Sequence, residues 1–172
     1  MFSQSTTGVT DPAELFTILR QLGAGSFGTV WLAAEKQSGR VVAIKVLTLA
    51  PKKNKRGDDR LQDLRREIAM ARTAGDHPSL VRFHGSFVTP LLEAVWIVME
   101  ACECSTLEVM QVLDEPFSES AVRAVLGGVL RALVHLHGEH GIIHRDVKAS
   151  NVLLSAAGEA KLGDLGVAAQ LG

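Results

Sequence analysis

The sequence predicts an α+β protein: a small antiparallel sheet with one helix, followed by the first part of a mainly helical region. Three observations carry that prediction. Residues 16–49 follow a mostly strand-like pattern, broken by the Gly-rich and polar turns "LGAGSFG" and "EKQSGR". A helical pattern over about 60–73 then places Leu61, Leu64, Ile68 and Ala71 on one face, and the strand-like runs "LVRFHGSFV" and "AVWIVMEA" come after it. Beyond a boundary near 101–106 the character changes, and "SESAVRAVLGGVLRALVHLHGEHG" reads as a helix apolar around most of its circumference.

Taken in order, residues 1–10 read as a flexible start. Asp11-Pro12-Ala13-Glu14 has the marks of a helix opening, with an Asp cap, Pro at the first position and an acidic residue in the first turn. "PKKNKRGDD" at 51–59 is a charged loop, and "AGDHP" closes the helix that follows it. On the long helix the polar positions Arg123, Arg131 and His135 share one narrow stripe with Gly127. Such a helix expects cover on more than one side. Short strands flank "HRDVKASN" and "SAAGEA", and no internal repeat or low-complexity segment is present.

The totals narrow the function classes. With 172 residues and 47% hydrophobic content the chain has enough material for one domain with a real core, or for a small domain and part of another. Its 18 basic and 19 acidic residues leave a formal net charge of −1, which supports neither a nucleic-acid nor a membrane-surface partner. The opening "MFSQSTTGVTDPAE" lacks the charged and apolar regions of a signal peptide, and no run approaches the roughly 18 apolar residues of a membrane span. Cys102 and Cys104, separated by one residue, are too close for an ordinary disulfide and have no second pair to complete a zinc site. Free thiols and a cytoplasmic location are therefore expected.

Four stretches carry chemistry. "GAGSFG" (Gly23, Ala24, Gly25, Ser26, Phe27, Gly28) is a GxGxxG run, a weak signal by itself. A dinucleotide site needs a helix directly after the glycines, whereas "TVWLAAE" is strand-like, and no GK[ST] supports a P-loop. The run is a Gly-rich hairpin. In "VVAIKVL" period-2 reading puts Ala43, Lys45 and Leu47 on one face and Val42, Ile44 and Val46 on the other. Lys45 could be an edge-strand charge placed against aggregation, or a fixed cation with Glu67 as its carboxylate partner.

In "HRDVKASN" (144–151) Asp146 could act as a base or position a hydroxyl, Lys148 could neutralise phosphate charge, and Asn151 could offer an oxygen to Mg²⁺. In "GDLG" Asp164 is an isolated carboxylate and a second candidate Mg²⁺ ligand. Each Asp or Asn could instead be a turn residue bonding its own backbone.

The ordered set decides what the separate parts leave open. Gly-rich hairpin, V-A-I-K, helix Glu, H-R-D-V-K-x-S-N and D-L-G together resemble a eukaryotic protein kinase from about Leu15 to the last residue. Lys148 marks the serine/threonine type. "DVKASNVLL", "KLGDLGVAAQL", "DPAELFTILRQLGAGSFGTV" and "WIVMEAC" are similar to the sterile-twenty-like, germinal-centre kinase-like branch.

The resemblance implies a kinase-like fold, with an N-lobe over 15–101 and an incomplete C-lobe over 102–172 after a flexible segment 1–14. It implies ATP and Mg²⁺ as cofactors, a protein bearing Ser or Thr hydroxyls as substrate, and a possible regulatory protein partner. Leu22, Gly23, Ala24, Gly25, Ser26, Phe27, Gly28 and Val30 would cover ATP, and Ala43 would pack on adenine. Lys45 would hold the α/β-phosphates and pair with Glu67. Met99 would be the gatekeeper, Glu100 and Cys102 would give hinge backbone contacts, and Leu153 would floor the adenine. Asp146 and Lys148 would serve phosphotransfer, Asn151 and Asp164 would hold Mg²⁺, and His144 would be structural.

Three departures accompany the match. Leu165 stands where the family usually has Phe. The compact "ECSTLEV" leaves the ribose contact open between Ser105 and Glu108. The sequence ends at Gly172 before any activation loop, APE-type motif or later helices, so the long helix is expected to lack cover. Burying an apolar side chain fully is worth ~1.5–3 kcal/mol. Three or four left exposed therefore forgo roughly 5–10 kcal/mol, comparable with the ~5–15 kcal/mol that holds a domain together. Weak stability and little phosphotransfer by this chain alone are expected. The alternative function is a non-catalytic nucleotide- or partner-binding fragment.

Overall fold

The computed structural model describes residues 11–25, 28–48, 57–89 and 94–171. The expected flexible start 1–10, Ser26, Phe27 and the first part of the charged loop lie outside them. The chain divides into two compact units, Met1–Asp63 with Phe83–Ala101 and Leu64–Arg82 with Cys102–Gly172. Among the described residues no helix is long and apolar enough to cross a membrane.

The first unit opens with α1 (Pro12–Leu15), capped by the Asp11 side chain, which accepts from the Ala13 N–H at 3.0 Å. Phe16 leaves the helix directly into a five-stranded antiparallel sheet. Its strands are β1 (Phe16–Gly25), β2 (Gly28–Glu35), β3 (Val41–Thr48), β4 (Phe83–Thr89) and β5 (Ala94–Glu100), in the order β1-β2-β3-β5-β4. The run "LVRFHGSFV" is divided: β4 takes it from Phe83, while Leu80 forms a parallel bridge to Leu162 inside the second unit.

Register sorts the sheet into two faces. Val30 lies opposite Lys45 and Lys45 opposite Ile97, while Leu32 lies opposite Ala43 and Ala43 opposite Met99. The neighbouring row pairs Trp31 with Ile44, Ile44 with Val98, and Ala33 with Val42. Opposed residues share a face. Ala33, Val42, Ile44, Trp96 and Val98 therefore converge with Phe16 on one side as a buried core, with Leu15, Val46 and Phe87 packed against it. Val30, Ala43, Lys45 and Met99 occupy the other side.

Helix α2 runs from Gly57 to Thr73, three residues longer at its start than the pattern predicts. A run of charged residues carries no strong penalty against helix, so charge alone misplaces that boundary. Helix α3 (Thr106–Val112) begins on a capping box: the Ser105 hydroxyl accepts from the Glu108 N–H at 3.2 Å, and Glu108 Oε2 accepts from the Ser105 N–H at 2.6 Å. Helix α4 (Glu119–His140) is capped by Ser118 and ends at Gly141 in the left-handed conformation.

Three short pairings complete the second unit: β6 (Cys104–Ser105) with β8 (Val152–Leu154), β8 with β9 (Ala160–Leu162), and β7 (Ile142–Ile143) with β10 (Ala169–Gln170). Its core gathers Ala74, Leu80, Val129, Ala132, Leu136, Ile142, Val152, Leu162 and Ala168.

Two features of α4 differ in exposure from a simple amphipathic helix. His135, which belongs to the polar stripe in the sequence, is buried, because its Nε2 bonds the Ala74 carbonyl at 2.8 Å just past the end of α2. Carbonyls at a helix end have no partner within the helix, and a ring N–H can satisfy one. On the opposite side Val122, Leu126, Leu130 and Val134 recur every four residues and are exposed, from 40% at Val122 to 71% at Val134.

Candidate functional site

In the second unit the candidate loop "HRDVKASN" is organised around His144, which is 1% exposed. Its Nε2 lies 2.9 Å from the Gly163 carbonyl and must carry the proton, since a carbonyl can only accept. Nδ1 is then the acceptor for the Asp146 N–H at 3.3 Å. The imidazole thus ties the start of this loop to the residue before Asp164. Both of its ring nitrogens bond backbone groups.

Asp146, Lys148 and Asn151 are brought together. Lys148 Nζ donates to Asp146 Oδ2 at 2.7 Å, and Asn151 Nδ2 donates to the same oxygen at 2.9 Å and to the Asp146 carbonyl at 2.9 Å. A turn of 3-10 helix (Ala149–Asn151) sets this spacing, with the Asn151 N–H returning to the Lys148 carbonyl at 2.9 Å. The Asn151 carbonyl in turn accepts from Gly163 N–H at 2.9 Å. Because the amide NH₂ of Asn151 is engaged by Asp146, its Oδ1 is kept as the acceptor end, a hard oxygen suited to Mg²⁺.

The hydrogen bond from Lys148, with a further one from Asn151, holds the Asp146 carboxyl below the ordinary carboxylate range, against a smaller opposing effect of burial. Asp146 is therefore charged throughout the neutral range and better suited to orienting a hydroxyl than to storing a proton. A depressed carboxyl contributes fully above its ordinary value of about 3.9, and the contribution is lost as pH falls through the depressed value. Lys148→Met is expected to move the Asp146 titration upward, read by carboxyl carbon NMR; an unmoved titration would assign the depression to something other than this lysine.

Arg145 and Asp164 hold φ of 64° and 59°, the described non-glycine residues in the left-handed region. Each such placement costs roughly 1–3 kcal/mol. Arg145 Nε is anchored on the Val167 carbonyl at 2.5 Å, and Asp164 Oδ1 accepts from the Gly166 N–H at 3.3 Å. The turn 164–166 also lies beside Glu67 of α2: a Cβ at Gly166 would stand 3.1 Å from Asp164 Oδ1 and 3.5 Å from Glu67 Oε2. Leu165 packs against the core of this unit, so the smaller residue at that position still fills an apolar place.

Leu153 on β8 pairs with Lys161 and Ser105, and Cys102 begins the second stretch of that unit. Neither Cys102 nor Cys104 forms a disulfide. Ser105 and Glu108, the two candidates for a ribose contact, both serve the α3 cap. The pattern Ser105-x-x-Glu108 was readable as a capping box and is the signal for that helix.

In the first unit the Gly-rich run is a hairpin, with Gly25 paired to Gly28, Ala24 to Thr29 and Gly23 to Val30. Leu22 is half-buried beside a bulge in β1, and Gly23, Ala24 and Gly25 are exposed. Gly28 has a structural reason to be glycine: its φ is +146° and a Cβ would lie 2.2 Å from the Val46 carbonyl oxygen. A Cβ at Gly23 or Gly25 would meet nothing described within 4 Å. Ala43 is 6% exposed, while Lys45, Val30, Met99 and Glu100 are half-buried.

The chain matches the protein kinase domain over residues 16–172, and it belongs to that family. It is 38% identical over 158 residues to serine/threonine-protein kinase TAO2 of Rattus norvegicus and of Homo sapiens, a match covering 92% of this chain and 12% of each relative. Similarity to serine/threonine-protein kinase TAO3 of Homo sapiens is 36% over 158 residues, or 92% of this chain and 17% of the relative. For TAO1-B of Xenopus laevis it is 35% over 158 residues, again 92% of this chain, and 15% of the relative. The chain spans less than a fifth of the length of these relatives.

Proposed function

We propose that this chain is the nucleotide-binding and catalytic-loop part of an ATP- and Mg²⁺-dependent serine/threonine protein kinase. The observation that carries the reading is the closed network of Asp146, Lys148 and Asn151, built on a buried His144. A loop kept only for solubility needs no shared carboxylate oxygen and no left-handed arginine within it.

In this reading Val30, Ala43 and Met99, on the sheet side opposite the first unit's buried core, contribute to adenine binding, and Leu153 of the second unit is a further adenine contact. Glu100 and Cys102 bond its edge through their backbone. Lys45 holds the α/β-phosphates and pairs with Glu67. Gly23 and Gly25 leave room for close approach of phosphate to backbone, which fits their having no described neighbour where a Cβ would stand. Asn151 Oδ1 and Asp164 hold Mg²⁺, which when bound spreads the charge of the phosphate oxygens. Asp146 orients a Ser or Thr hydroxyl of a protein substrate, and Lys148, while neutralising that carboxylate, offers its remaining N–H groups to the transferring phosphate. A cytoplasmic setting and a regulatory protein partner belong to the same proposal.

The test is thermal unfolding of the 172-residue chain with and without Mg²⁺-ATP, beside Lys45→Met. A ligand at 100 times its dissociation constant adds about 2.7 kcal/mol, so the wild type should gain several degrees and the variant little. Equal gains in both would remove Lys45 from the site. The exposed apolar row Val122–Leu126–Leu130–Val134 favours a second reading, a fragment that binds nucleotide or a partner without turnover. Nucleotide affinity with no peptide phosphorylation would select it.

A further inference from the structure

At the end of α4 three residues outside the candidate phosphotransfer loop converge. Ring nitrogens of His135 and His140 and a carboxylate oxygen of Glu139 all lie within 4.8 Å of one another. His135 Nδ1 is 3.1 Å from Glu139 Oε2, and the His135 and His140 rings stand edge to face with centroids 4.7 Å apart. Protonation bookkeeping makes the group unusual. His135 Nε2 must carry a hydrogen, because its partner at 2.8 Å is the Ala74 carbonyl. In the neutral ring Nδ1 then presents a lone pair to a carboxylate, two acceptors face to face. Something positive belongs between them, either a proton or a metal ion.

Two further observations favour the metal. A ring N–H donated to a backbone carbonyl is the arrangement that orients metal-bound histidines and fixes which nitrogen is free. The other face of His135 is stacked on His77 at 4.5 Å, and that second ring is itself held in register by the Ser79 N–H on its Nδ1 at 3.1 Å. The outer side is open, with the Glu139 side chain 68% exposed against 10% for His135. The His140 backbone is pinned as well, its carbonyl accepting from Gln170 Nε2 at 2.7 Å.

We infer that His135, Glu139 and His140 form a binding site for a divalent transition-metal ion of the zinc class. Two imidazoles and one carboxylate suit such an ion at ligand distances of about 2.0–2.2 Å, reached by small side-chain rotations, with a fourth position left to water. Bound there, the ion would clamp the end of α4 immediately before Ile142, Ile143 and His144. The inference does not depend on nucleotide binding.

The experiment is titration of the full 172-residue chain with Zn²⁺ alone, and with Co²⁺ for its visible spectrum. It compares wild type, Glu139→Gln, His140→Ala and, as a control imidazole on the same helix, the exposed His137→Ala. The expected result is one equivalent bound by wild type and by His137→Ala. Both ligand variants should bind at least tenfold more weakly, since even outer-shell changes cost about 10–100-fold. Their far-UV circular dichroism should match wild type, and the Co²⁺ spectrum should show nitrogen and oxygen ligation without a thiolate charge-transfer band. Failure of wild type to bind stoichiometrically would leave a protonated His135–Glu139 ion pair as the explanation and overturn the site. So would equal affinity in all four proteins, or a thiolate band that moves the ion to Cys102 and Cys104.

Discussion

Gly28→Ala is expected to destabilise the first unit by roughly 2–6 kcal/mol, whereas Gly23→Ala in the same Gly-rich run should leave stability unchanged or slightly raised. The range adds two costs. A non-glycine residue at a φ of +146° is strained by roughly 1–3 kcal/mol. A Cβ at 2.2 Å from the Val46 carbonyl oxygen and 2.9 Å from Leu47 Cδ2 forces β2 and β3 apart, at a further cost of about 1–3 kcal/mol. Gly23 has neither problem, and removing backbone freedom from the unfolded chain favours alanine by up to ~1 kcal/mol. Urea unfolding of the two variants beside wild type reads the difference. Equal midpoints would mean that the hairpin does not hold Gly28 against β3 as described.

Leu136→Ala is expected to cost about 2–5 kcal/mol, a large part of the ~5–15 kcal/mol available to a whole domain. Leu136 is 0% exposed and packs in the core of the second unit. Its removal leaves a cavity whose walls belong to a helix and strands that cannot all collapse inward. The contrast is Leu130→Ala on the same helix, where the side chain is 61% exposed and the change should stay within about 0.5 kcal/mol. Both are leucines in one apolar helix, so composition does not distinguish them. If both variants unfolded at the same denaturant concentration, the assignment of the buried and exposed sides of α4 would be wrong.

Much of the candidate site was legible because its signals are local. The parity of Ala43 and Lys45 follows from the two-residue repeat of a strand, and the register puts both on the side away from the first unit's core. The cluster of Asp146, Lys148 and Asn151 lies within a sequence separation of only five, which a single turn of 3-10 helix can close. The α3 helix is equally legible through Ser105 and Glu108, three positions apart, whose side chains form its capping box. The start of α2 at Gly57 is not legible, because charged residues say little about where a helix begins.

The sequence by itself determined the order of the elements, the alternation on β3, the Gly-rich hairpin and the identity of the polar loop. Each of these is encoded in residues a few positions apart. Only the tertiary structure decided the bulges of β1, the left-handed backbone of Arg145 and Asp164, the approach of Glu67 to the 164–166 turn, and the burial of His135. His135 meets the Ala74 carbonyl across a separation of 61 residues. No periodicity reports such a contact, because it is selected by how a packed core closes and by which helix-end carbonyl would otherwise lack a partner.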